Sequence, residues 1–317
     1  MTIEASYGRC ALAPEADLEM LTLRKYINLP SHSQGGFDHG DVHKSSGRVF
    51  VAHTANGTIE VIDGERGQHM GTMSGCSEAR GVCCAQDEGI VFAASRGSGK
   101  ILLIDAGKGT WMSEVVVGSK PNGLAWDTRR KRLLVADVQD CHARLVDPLS
   151  QEILATTKLP GRPRWCVYHH DLGLFLVNIR DPAGLAILSA ETFVQQNFLR
   201  VSAPGPHGLD IIEGTGQALV ACDGKAVVVL DIKTGDEITT IPISGEPDVI
   251  WYNVLRERLY CAVGKPGVIE VIDMKRLTVD EEVTTEEGCH TLAFDQGKQR
   301  LYAFLPQSCS AAVYEEI

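Results

Sequence analysis

The sequence lacks any stripe of positive charge. Its 30 Lys and Arg are outnumbered by 41 Asp and Glu, for a net charge of −11. A protein that tracks a phosphate backbone concentrates basic residues on one face, so no nucleic-acid partner is expected. The one basic cluster, Arg129, Arg130, Lys131 and Arg132, falls where a surface turn belongs and reads as a solvated hairpin tip. Aromatic residues are only 6% of the chain. No apolar run has membrane-spanning length and no N-terminal run has signal-peptide form, so no membrane partner is expected. The ten cysteines include no CxxC and no framework spacing. They lie mostly in or beside apolar runs, as Cys83, Cys84, Cys166 and Cys261 do, which fits free buried thiols and predicts a cytoplasmic protein. GxSxG, P-loop and HExxH signatures are missing, as is a GxGxxG between strand and helix.

What is present is a repeat. Six segments carry the same apolar run closed by an acid or its stand-in, ending at Asp63, Asp105, Asp147, Ser189, Asp231 and Asp273, each 42 residues after the last. One more step reaches Glu315. Each unit reads as four short strands rich in Val, Ile and Leu, separated by Gly, Pro, Asp and Asn. Seven such units predict an all-β, seven-bladed propeller of four-stranded blades rather than a helical solenoid. The whole chain, 1–317, is expected to form this one domain, and 44% hydrophobic residues suffice for its core. The last unit stops after its third strand, while residues 20–30 read like a fourth. Pairing that N-terminal strand with the seventh blade closes the ring and removes two open edges. Residues 1–19 then form a tail with no assigned role.

The repeat resembles the YVTN/NHL group of propellers. The matching features are the apolar second strand, the turn in Val229-Leu230-Asp231 with Thr234-Gly235, and the entry Gly118-Ser119-Lys120-Pro121-Asn122-Gly123. The likeness spans nearly the whole chain. It implies a fold shared by lyases, lactonases, isomerases and binding scaffolds, so function has to be argued from the site.

Aligning the repeats puts one residue per blade at the start of the innermost strand: His39, Arg80, Asn122, Arg164, His207, Asp248 and His290. Ten histidines in 317 residues would place about 0.2 in seven positions, and this column holds three. The three histidines and Asp248 fall in consecutive blades around the ring. A second column, at the ends of the second strands, is His53, Ser95, Asp137, Asn178, Cys222, Val263 and Leu305.

His39, His207, His290 and Asp248 are the candidate catalytic and metal-ligating residues. Three imidazoles and a carboxylate suit a divalent transition metal, zinc or similar, with an open position. Without metal they offer a general base, with Asp248 orienting a histidine. Arg80, Arg164 and Arg180, with Asn122, His53 and Asp137, are the candidate substrate-binding residues, because guanidinium groups suit a carboxylate or phosphate. The expectation is a metal-assisted lyase, isomerase or hydrolase acting on a small anionic molecule. The alternatives are a wet channel with internal salt bridges, and a non-catalytic scaffold that binds a protein or peptide. His169 and His170 are expected as a surface pair away from this mouth.

Overall fold

A computed structural model describes residues 21–316. Their regular elements are all strands, arranged as seven four-stranded antiparallel sheets around one ring. The protein is a seven-bladed β-propeller. In each blade strands a to d run outward from the axis, and the a strands of blades 1 to 7, Gly40–His43, Ala79–Ala85, Pro121–Asp127, Pro163–His169, Pro206–Ile212, Pro247–Asn253 and Thr291–Asp295, pack side by side around the channel. The expected tail, residues 1–19, lies outside the described residues. Blade 7 is closed as the repeat predicts: Leu21–Asn28 pairs with Ser310–Glu316, from Leu21 opposite Glu316 to Asn28 opposite Ser310.

The blades form because the b strands, and most of each c strand, are apolar on both faces and are covered on both by neighbouring sheets. Phe50, Phe92, Phe175, Tyr260 and Tyr302, all on b strands, are fully buried between blades. Each buried side chain of this size contributes about 1.5–3 kcal/mol. The repeated acids act in the turns between c and d strands. Asp63, Asp147, Asp231 and Asp273 each accept two backbone N–H bonds from the turn that follows, and Ser189 does the same through its hydroxyl. Glu315 departs from this pattern and pairs with Arg24 and Arg300.

The start of the a strand carries a β-bulge in blades 2 to 6. In blade 5, Pro206 faces Cys222 and Leu209 faces Val220, so His207 and Gly208 stand against Ala221 alone. The same shift places Arg80, Asn122, Arg164 and Asp248 on bulges in blades 2, 3, 4 and 6. A bulge re-aims side chains out of the ladder, and here it delivers one polar residue per blade to the mouth. The glycine that follows in three of these blades permits tight interlocking. A Cβ on Gly123 would lie 2.3 Å from the Arg164 carbonyl oxygen, and one on Gly208 would lie 2.2 Å from that of Asp248. Blade 4 has Trp165 at this position, and its ring projects toward blade 1.

Candidate active site at the channel mouth

At the channel mouth the structure brings His207, Asp248 and His290 of the first column together. His207 stands between two carboxylates: its Nδ1 is 3.1 Å from Asp223 Oδ1 and its Nε2 is 3.1 Å from Asp248 Oδ1. Asp248 also faces His290, with Oδ2 3.8 Å from Nε2. His290 donates its Nδ1–H to the Gly288 carbonyl at 2.8 Å, which leaves Nε2 as the lone-pair atom on the mouth side. His39 Nε2 lies 3.2 Å from Asp38 Oδ1, and its ring packs on Trp165 with centroids 4.0 Å apart. Burial pushes His39 below the usual histidine value, against the opposing pull of Asp38 and Asp248, so its ring is neutral at neutral pH. For Asp38 burial opposes ionisation, but His39 and Arg80 prevail and hold its carboxyl at about 2.

The arginines occupy the facing arc. Arg80 is not free for a ligand in this state, because its Nη1 pairs with Asp38 Oδ2 at 2.5 Å. For Arg80 the structure therefore shows an internal salt bridge, the alternative to ligand binding. Arg180 Nη2 lies 2.6 Å from Asp223 Oδ2. Asp223 is half-buried, and although burial opposes its ionisation, His207, Arg180 and Arg164 draw its carboxyl below the ordinary value. Arg164 stands apart. Among the described residues its guanidinium has no hydrogen-bond partner, and its Nε is buried and unsatisfied. Burial, together with Arg162 and Arg180, works against its charge, while Asp248 and Asp223 support it. Arg162 and Arg180 line an adjoining cavity of about 620 Å³ with Asp223.

The remaining candidates are buried side chains. His53 is fully buried inside blade 1, bonded to Glu60 at 3.0 Å and to His32 at 2.7 Å, so it does not face a substrate. Asp137 is also fully buried and accepts backbone bonds from Lys120 and Gln139. Asn122 is 5% exposed on its bulge. Cys222 is buried, and burial pushes its thiol to about 12. His169 is a correction: it is 1% exposed, with Nδ1 3.3 Å from Glu213, and only His170 is at the surface.

Sequence reasoning missed Asp38, Asp223, Arg162 and Trp165. Asp223, Arg96 and Arg180 each lie one residue beyond the end of a b strand, at Cys222, Ser95 and Ile179. The second column was therefore read one residue early, and in blade 4 two, with Asn178 one short of the strand end. A one-residue slip on a strand exchanges the two faces. The signal that would have found the set is the run of charges just past those ends.

Among the described residues no group of three or more His, Cys, Asp or Glu side chains is placed to hold a metal ion. The histidines are engaged instead in a hydrogen-bonded network, with a carboxylate at each nitrogen of His207. The chemistry below is therefore written in terms of these side chains alone. No helix among these residues is long and apolar enough to cross a membrane, and the nine described cysteines are free. No protein-family model matches the chain, and no curated protein matches it. The class is thus set by fold alone: a seven-bladed β-propeller whose channel mouth sets arginines against a His–Asp arc.

Proposed function

We propose that the mouth is an active site for proton-transfer chemistry on a small anionic molecule, as a lyase, isomerase or hydrolase. The observation that carries this reading is Arg164, a half-buried guanidinium with no hydrogen-bond partner, facing a His207–Asp248–His290 cluster. An unpaired buried cation is costly unless a ligand completes it. A carboxylate or phosphate held by Arg164, with Arg162 and Arg180 near, would set the rest of the molecule against the histidines. His290 Nε2 takes the proton. His207, clasped by Asp223 and Asp248, returns one to the leaving or rearranged centre. Asp38 and Arg80 fix His39 against Trp165 and exclude bulk water from that side.

The likeness to YVTN/NHL propellers supports the reading to the extent that the group includes lyases and lactonases. The metal-assisted form requires His207 to release its carboxylates. Elemental analysis decides it: stoichiometric zinc, lost in His207→Ala, would restore that form. A second reading, partner binding, draws on the outer strand Thr110–Val116, which exposes Met112 and Val116. The test of the main reading is a panel of 2-hydroxy acids, enol lactones and phosphate esters followed by proton NMR. Turnover by the wild type that is lost in both His207→Asn and His290→Asn supports the site. Turnover of a panel member that survives both substitutions removes it.

A further inference from the structure

Further along the same channel, one to six residues past the mouth column in blades 1 to 6, lies a second chamber of about 260 Å³. Its lining is mainly apolar and aromatic, where the mouth is charged. Three of the four tryptophans of the chain line it: Trp126, Trp165 and Trp251. Trp165 and Trp251 stand at 88° with ring centroids 6.5 Å apart, two walls of an aromatic corner. The lining includes Asp41 and Asp210 but no Lys, Arg or His. Trp126 is 6% exposed, and its indole N–H is buried without an acceptor.

We propose that this chamber binds a small organic ammonium compound that also carries an oxygen acceptor, such as an amino alcohol or its N-methylated form. Indole faces attract a cation through their quadrupole, most strongly when it is desolvated. Carboxyl groups at the wall and the absence of any competing cation add to that attraction. The aliphatic wall of Val82, Leu124, Leu209 and Ile250 suits N-methyl groups. The ligand oxygen would satisfy Trp126, whose N–H otherwise goes unpaired at a cost. A neutral apolar ligand would leave the carboxyls unused. An anion is disfavoured by them and is served by the arginines at the other end. Trp165 joins the two compartments, since the ring that lines the chamber also packs on His39.

The proposal does not depend on what the mouth does, and its test reads binding alone. Choline and 3,3-dimethylbutan-1-ol share a shape and a hydroxyl but differ in charge. Each is titrated into the full chain by calorimetry and by tryptophan fluorescence. Choline is expected to saturate, with the uncharged isostere weaker by about tenfold or more. Trp251→Ala should abolish choline binding and Trp251→Phe should retain part of it. Trp251 also donates its indole N–H to the Leu292 carbonyl at 3.2 Å, so a poorly folded alanine variant leaves the isostere comparison and Trp251→Phe to decide. Equal binding of the two compounds, no choline binding at ~10 mM, or binding indifferent to both substitutions would overturn the proposal.

Discussion

Asn178 and His207 belong to different blades, yet the Asn178 amide donates to the carbonyl oxygens of His207 at 3.1 Å and of Gly208 at 2.8 Å. Both carbonyls sit on the bulge that aims His207 at the mouth. One fully buried side chain in blade 4 thus fixes the central histidine of blade 5. Asn178→Ala is expected to leave those carbonyls unsatisfied and to cost about 1–3 kcal/mol in urea unfolding. Activity at the mouth should fall by more than the loss of folded protein explains. A stability change within ~0.5 kcal/mol would show that the bulge holds itself.

Arg164 and Arg80 should respond in opposite ways. Replacing Arg164 by Met removes an unpartnered cation and is expected to leave the melting temperature unchanged or raised, while small-anion binding is lost. Arg80→Met leaves Asp38 buried without its ion pair and is expected to cost about 2 kcal/mol or more. Thermal melts of the two variants side by side check this. A marked loss of stability in Arg164→Met would mean that the guanidinium is a structural group.

The fold was legible because the turn acids recur at a fixed spacing and each has one mechanical task, which Asp63, Asp147, Asp231 and Asp273 perform alike. The first column was legible for the same reason: a bulge at a constant place in the repeat turns sequence register into spatial register. The second column was not, because b strands alternate in face, and a slip of one residue took buried Cys222 in place of Asp223 and kept buried His53 and Asp137. Asp38 could not be weighed from sequence, since its partners Arg80 and His39 come from two blades. Nor could Trp165, which stands where blades 2, 3 and 5 have glycine.

Stability should depend on pH through two carboxyls in the far chamber. Burial raises Asp41 from 3.8 to about 6 and Asp210 from 3.8 to about 7, although both accept backbone N–H bonds. A carboxyl that holds its proton more tightly when folded stabilises the fold while protonated. Their contribution is full below pH 3.8 and is lost as pH rises through about 6 and about 7. Asp38, held at about 2, behaves oppositely: its contribution is present above 3.8 and is lost as pH falls. Asp210→Asn should flatten the decline between those limits in chemical denaturation. An unchanged slope would mean that Asp210 is ionised without penalty.

Deleting residues 1–30 removes the strand Leu21–Asn28 and exposes Ser310–Glu316 as an edge. An aggregating or poorly soluble product is expected on gel filtration. Deleting only 1–15 should leave the chain monodisperse with an unchanged unfolding midpoint. A cooperative, soluble 31–317 fragment of full stability would refute closure by this strand.

The central claim is that an anion completes the unpaired guanidinium of Arg164 within reach of His207. Calorimetric titration of the wild type and Arg164→Ala with a set of small carboxylates and phosphates tests it most directly. The account predicts saturable binding of at least one anion by the wild type, abolished in Arg164→Ala and weakened in Arg164→Lys, because the planar two-pronged donor is lost while the charge remains. No binding at all, or equal binding by the wild type and Arg164→Ala, would contradict it.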